Sequence, residues 1–268
     1  MPVVNLLLVG GSGRVGTFCT PYFKAKHALR VLDLRPPKHD GVEYVEGSVL
    51  DPEAIKRALD GVDAFIWTVM LNPQGGSVTT QDVPTILNNY DVNCKGLHLF
   101  LYLAQAAGKK RGIYTSTMSA HYRERAPYPS GKPYDQEELT ALDTPSVYGL
   151  SKGFGELICQ YFARHFDMNL IALRITGPRE RENFLKERLE THKDRRYGRP
   201  TGSRIFILDE EDLADAYLRA VDAVQIGHGR FDAVFIAGDE DEQDHNLSKA
   251  KRLLGWEPRS HKYLKPSP

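Results

Sequence analysis

Tyr148 and Lys152 stand four residues apart in the stretch Ser146-Val147-Tyr148-Gly149-Leu150-Ser151-Lys152. On a helix that spacing puts both side chains on one face, where an ammonium can lie close beneath a phenol. A free tyrosine titrates near 10, and lowering it by ~3 units takes roughly 4 kcal/mol of differential stabilisation. A neighbouring cation acts in that direction. A phenol so lowered exchanges a proton with a substrate hydroxyl, and a second hydroxyl is then wanted to hold the substrate oxygen. Thr117 is the candidate for that second role, with Ser116 as the fallback. An ordinary solvated helix pair has the same spacing, so the surrounding chain has to decide.

The N-terminal stretch decides much of it. Residues 3–9 form an apolar run that passes directly into Gly10, Gly13 and Gly16 at Gly-x-x-Gly-x-x-Gly spacing, with Arg14 and Val15 between the last two. This reads as a buried strand turning sharply into a helix. Gly10 suits the tight turn, Gly13 lets the backbone approach phosphates, and Gly16 lets helix and strand pack closely. The free amides of the helix then face an anion. A second strand, 28–32, ends at Asp33, whose carboxylate is placed to accept hydrogen bonds from an adenosine ribose. An acid there repels a 2′-phosphate, which favours NAD. Arg35, two residues on, leaves NADP open.

These groups need a scaffold that gathers them. Strand 42–45, a turn at 47–52, helix 53–59 and strand 64–69 continue an alternation that implies a parallel sheet covered on both faces. Ligands bind such sheets at the carboxyl ends of the strands. That gathers residues 10–15, Asp33, Ser48, Val49, Thr68, Val69 and Met70 around one crevice. Residues 84–107 read as a long helix, 112–115 as a strand leading to Ser116 and Thr117, and 121–144 as a surface excursion. The fold class expected is α/β, a doubly wound parallel sheet of Rossmann type.

Composition bounds the rest. The 268 residues carry 35 basic and 35 acidic side chains, so no global field draws the chain to nucleic acid or to a membrane surface. Cys19, Cys94 and Cys159 lie far apart with no metal-ligand spacing, which points to a reducing cytoplasm and to no metal site. No stretch approaches the ~18 uncharged apolar residues of a membrane span, and no secretory leader is read at the N-terminus.

With these motifs in order, the chain resembles extended short-chain dehydrogenase/reductases of the NAD-dependent epimerase/dehydratase family. The resemblance rests on the glycine turn, Asp33, Asn93 in Asp-Val-Asn-Cys-Lys-Gly, Ser116-Thr117, Tyr148-x-x-x-Lys152, residues 173–178 after the sixth strand, 211–216, and the ending from Ser248 to Pro258. It implies that Tyr148 is the acid/base, that Lys152 holds the cofactor ribose and lowers the tyrosine pKa, and that Thr117 positions the substrate oxygen. Asn93 falls where the family has a helix asparagine near the cofactor. A dimer through helices 84–107 and 146–166 is a habit of the family, so a homodimer is expected.

Departures from the family pattern narrow the substrate. Met118 and Ser119 follow Thr117 where dehydratases carry an acid pair, and Ile175-Thr176-Gly177 stands where many epimerases carry an asparagine. The chain is similar at a finer level to uronate dehydrogenases, so hydride transfer between NAD and a sugar or sugar acid is the expected function. An NAD-dependent sugar epimerase and a non-catalytic NAD(P)-sensing regulator are the alternatives. One Rossmann-type domain, 1–268, is expected, with a cofactor core at 1–175 and a substrate lobe mainly at 176–208 and 230–268. The basic stretch 179–204 reads mostly as a solvated helix with paired charges. From the residues after the sixth strand, Arg174 and Arg181 are taken as candidates for clamping a substrate anion, alongside Ser116 and Thr117.

Overall fold

A computed structural model of the chain describes residues 3–71, 80–121, 144–191, 207–242 and 245–260. Its centre is a seven-stranded parallel sheet in the order β3-β2-β1-β4-β5-β6-β9. The strands are β1 (Asn5–Val9), β2 (Ala28–Asp33), β3 (Glu43–Glu46), β4 (Ala64–Trp67), β5 (Arg111–Thr117), β6 (Asn169–Ile175) and β9 (Phe231–Ile236). The strand order reverses between β1 and β4, the switch point at which such sheets open a crevice. In β1, Leu6, Leu7, Leu8 and Val9 are all fully buried, because a central parallel strand is covered on both faces.

Helices cover the two faces. On one, α1 (Arg14–Lys24), α7 (Glu210–Ile226) and α8 (Ser248–Leu254) enclose Phe23, Tyr217, Leu254 and Trp256. On the other, α2 (Pro52–Leu59), α4 (Leu97–Ala106) and α5 (Val147–Phe166) enclose Phe65, Trp67, Phe100 and Phe162. Helix starts follow their local chemistry. Asp51 accepts the Glu53 N–H at 2.9 Å with Pro52 in the first turn, Ser146 accepts the Gly149 N–H at 3.0 Å, and Asp209 accepts the Glu211 N–H at 2.9 Å.

The helix expected at 84–107 is one helical run with a widened turn inside it. It comprises α3 (Val83–Asn89), a π-helical turn (Tyr90–Gly96) and α4, and the wide turn contains Asn93. Turns of this kind concentrate at functional sites. Beyond β6, the two-residue strands β7 (Pro178–Arg179) and β8 (Leu208–Asp209) pair with each other, and α6 (Arg181–Thr191) follows β7. The stretch from 230, expected mainly in the substrate lobe, instead adds β9 to the main sheet beside β6. The reason is its apolar run: Ala233, Val234, Phe235 and Ile236 are all buried there. The excursion expected at 121–144 lies almost wholly outside the described residues.

Candidate active site

The glycine turn leaves β1 with Gly10 at φ +80°, a left-handed conformation that favours glycine, and a Cβ there would stand 2.7 Å from the Val69 side chain. Gly13 donates to the Gly10 carbonyl at 3.1 Å and begins α1. Where Asp51, Asp82, Ser146 and Asp209 cap their helices, α1 has no side-chain cap and no acid in its first turn. Its leading amides therefore face the crevice end of the sheet with a positive end and no competing carboxylate, a cradle that fits a pyrophosphate. Val15 is buried beneath it and Arg14 is exposed, its guanidinium 5.5 Å from the Phe18 ring.

Asp33 closes the cradle from β2. Its Oδ2 accepts the Ser12 N–H at 3.0 Å and its Oδ1 accepts the Arg35 N–H at 3.2 Å, while Ser12 Oγ donates to the Arg35 carbonyl at 2.6 Å. The carboxylate thus ties the glycine turn to the end of β2. Ser48 and Val49 follow β3, Ser48 Oγ accepting the Leu50 N–H at 3.1 Å. Thr68 follows β4, and its N–H and Oγ1 both donate to the Val9 carbonyl at 2.8 Å. These residues fit a dinucleotide: the turn for its phosphates, Asp33 for the adenosine ribose, Lys152 for the nicotinamide ribose.

The chemical groups come from β5 and α5. Thr117 ends β5, and Tyr148 opens α5 one residue after its start. Thr117 Oγ1 accepts the Ser119 N–H at 3.1 Å and is close enough to the Tyr148 phenol to lower its pKa, while Tyr148 Oη donates to Met70 Sδ at 3.7 Å. Burial pushes the Tyr148 phenol up to about 12, offset in part by Thr117. Burial likewise pushes the Lys152 ammonium down to about 7, with Glu156 acting in the opposite direction. Lys152 Nζ donates to the Val69 carbonyl at 3.5 Å. The phenol is thus raised where the spacing leads one to expect it lowered, because desolvation by burial is the largest influence on it.

Asn93 braces this corner. Its Oδ1 accepts the Leu71 N–H at 3.0 Å, and its Nδ2 donates to the Leu71 carbonyl at 3.2 Å and to Ser151 Oγ at 3.0 Å. Ser151 Oγ in turn donates to the Tyr148 carbonyl at 2.9 Å. The widened turn so fastens the exit of β4 to the first turn of α5. Asn93 has a positioning place in this structure, with its amide committed to protein partners.

Three of the substrate candidates have a different placement. Arg174, expected after the sixth strand, lies inside β6 and is 3 % exposed. Its Nε and Nη2 meet Glu156 Oε1 and Oε2 at 2.9 and 2.7 Å, and Ser116 Oγ donates to the same carboxylate. Both Ser116 and Arg174 face a buried carboxylate of α5, because a charge inside a central strand must be paired. That leaves Thr117 as the hydroxyl beside Tyr148. Arg181 opens α6 and engages Asp209 and Glu211, clasping α6 to the start of α7. Arg179 pairs with Glu187 and Arg188 with Glu240. The remaining arginines of the basic stretch, 195, 196, 199 and 204, lie outside the described residues.

Two further residues of this corner, Glu156 and Tyr114, are not among those the motifs single out. Glu156 is one helical turn beyond Lys152, so the same spacing that joined Tyr148 to Lys152 extends to it. Tyr114 carried no such signal, since its role depends on a contact between β5 and α5. Among the described residues no group of His, Cys, Asp and Glu is arranged to hold a metal ion, and no helix is long and apolar enough to cross a membrane.

The chain is similar to several known proteins. An uncharacterized protein of Sinorhizobium fredii is 29% identical over 161 residues, which are 59% of this chain and 37% of that protein. The L-arabinose 1-dehydrogenase (NAD(P)(+)) of Haloferax volcanii is 25% identical over 265 residues, covering 97% of this chain and 98% of its own. A solved structure of a mutated uronate dehydrogenase superposes with a TM-score of 0.71 at 21% identity, covering 98% of this chain and 84% of that one. The model of the NAD dependent epimerase/dehydratase family matches residues 6–234, nearly the whole sheet and both helix layers, and the chain belongs to that family.

Proposed function

We propose that the protein is an NAD-dependent oxidoreductase that oxidises the hydroxyl-bearing C1 of a free sugar or sugar acid. The observation that carries this reading is that Tyr148 Oη and Lys152 Nζ reach Met70 and the Val69 carbonyl just past β4, against the glycine turn, with Thr117 at the end of the neighbouring β5. Whole-length likeness to a sugar 1-dehydrogenase supports the choice of carbon. Thr117 Oγ1 holds the substrate oxygen and Tyr148 Oη takes its proton as the carbon gives up hydride. Bound NAD would supply the acceptor for that hydride. Lys152 Nζ binds the adjoining ribose and supplies positive charge near the phenol. Asp33 favours NAD over NADP by repelling a 2′-phosphate.

The same reading makes the protein cytoplasmic, with Cys19, Cys94 and Cys159 as free thiols. It also makes it a homodimer, since Tyr102, Leu157 and Tyr161 on α4 and α5 stand 52, 44 and 46 % exposed. The test is incubation with NAD and a panel of aldoses and uronates, following the absorbance of the reduced cofactor. Net NADH formation supports the reading. Epimerised sugar without net NADH replaces it with an epimerase, and NAD binding without turnover of any sugar overturns it.

A further inference from the structure

Lys152 ends on an aromatic face that the scheme above does not use. Its Nζ lies 4.2 Å from the centroid of the Tyr114 ring, within cation–π range, and the two side chains are 0 % and 2 % exposed. The ring is fixed from two directions. Tyr114 Oη donates to the Lys152 carbonyl at 3.1 Å, so the phenol is anchored on the residue whose ammonium lies over it. Gly155 leaves the space for this: a Cβ there would run into the phenol, with Cζ 2.5 Å away.

The other groups around the ammonium give it little support. Cys159 and Glu156 face it from α5 and Cys94 from the π-helical turn. Burial pushes both thiols up, Cys94 to about 11, so neither carries charge near neutral pH. The Glu156 carboxylate is already engaged by the Arg174 guanidinium from β6 and by Ser116 from β5. Tyr148 is neutral as well, and the Val69 carbonyl is distant at 3.5 Å. Desolvation drives Lys152 toward its neutral form. The electron-rich face of Tyr114 opposes that drift at short range and in a dry setting, where such a contact is strongest.

We propose that Tyr114 is a positioning residue whose ring face holds Lys152 as an ammonium at the site from which it reaches the cofactor ribose. The consequence for turnover rests on the function proposed above, whereas the ionisation of Lys152 does not. The experiment therefore reads ionisation directly. The full chain is prepared with lysine labelled with carbon-13 at Cε, the Lys152 resonance is assigned by its loss in Lys152→Met, and its pH midpoint is measured. Position 114 is then varied through Tyr114→Phe and a series of progressively fluorinated phenylalanines, which keep the ring's shape while draining charge from its face. Thermal unfolding confirms that each variant is folded.

The midpoint is expected to stay nearly unchanged in Tyr114→Phe and then to fall stepwise with fluorination, by about one pH unit over the series. A midpoint that does not respond to fluorination overturns the proposal. So does a fall confined to the step from tyrosine to phenylalanine, which would assign the effect to the hydroxyl. Turnover of the unmodified protein is measured alongside. If no sugar is oxidised while the midpoint follows fluorination, the function reading fails and the ring platform stands.

Discussion

Arg174 and Glu156 meet side by side across β6 and α5, Nε to Oε1 at 2.9 Å and Nη2 to Oε2 at 2.7 Å. The carboxylate is fully buried and the guanidinium almost so. Removing one partner leaves the other charge in the core, which costs about 3–5 kcal/mol, whereas replacing both with apolar groups of similar size restores much of the loss. Arg174→Met and Glu156→Leu are each expected to lower unfolding stability by that amount, and the double variant by clearly less than the sum. Urea unfolding of the four proteins closes the cycle. Simple additivity would show that the two residues act independently.

The two neighbouring hydroxyls of β5 are expected to separate in their effects. Thr117 faces Tyr148, so Thr117→Ala should lower kcat by about 10²–10³ with stability nearly unchanged, as loss of a donor to the reacting oxygen does. Ser116 faces Glu156, so Ser116→Ala should act on stability, by about 1–3 kcal/mol, and much less on kcat. Tyr148→Phe should lower kcat by about 10²–10⁴ while NADH still binds. Steady-state kinetics and unfolding curves on the three variants decide this. A Ser116→Ala variant as inactive as Thr117→Ala would reverse the assignment of the two hydroxyls.

Asp33 fastens Ser12 of the glycine turn, and under the function proposed above it also selects the cofactor through the adenosine ribose. Asp33→Asn keeps a carbonyl oxygen for the Ser12 N–H and removes the negative charge. NAD is expected to bind about 10-fold more weakly, the loss of charge-assisted hydrogen bonds, while NADP improves as its 2′-phosphate is no longer repelled. The ratio of kcat/KM for the two cofactors is the measurement. An unchanged ratio would mean that Arg35 or another group sets the preference.

How far the sequence reveals this protein follows from the range of each interaction. The glycine turn, Asp33 and the Tyr148–Lys152 spacing are local patterns, and each sits where periodicity puts it. Arg174 misled because it looks like a loop cation until β6 is seen to extend through Ile175. The π-helical turn at Asn93 is invisible to a 3.6-residue pattern, and the contact Asn93 makes there is with Leu71, far away in the chain. The place of β9 beside β6 is a long-range pairing, and the apolar run at 233–236 shows only that it is buried. Tyr114 is legible only once β5 and α5 are packed, because Gly155 supplies its space from a distant segment.

Lys152 makes stability depend on pH in a direction opposite to the usual ion pair. The unfolded chain holds this proton up to the ordinary value of 10.5, while in the folded protein burial lowers that limit to about 7. Between those values the unfolded state binds more protons, so stability rises with pH, and the full penalty is present below about 7. Lys152→Met removes the penalty, which at about 1.4 kcal/mol per unit is on the order of 5 kcal/mol at most, with the Tyr114 ring acting to shrink it. The variant's stability relative to the parent is therefore expected to be most favourable near about pH 6 and to lose about 3 kcal/mol by about pH 9. Losses of packing and of the contact with the Val69 carbonyl shift the whole curve without changing its slope. Urea unfolding of both proteins at several pH values is the measurement, kept below the range in which Tyr148 ionises. A difference that stays flat from about pH 6 to about pH 9 would mean that Lys152 keeps its proton throughout.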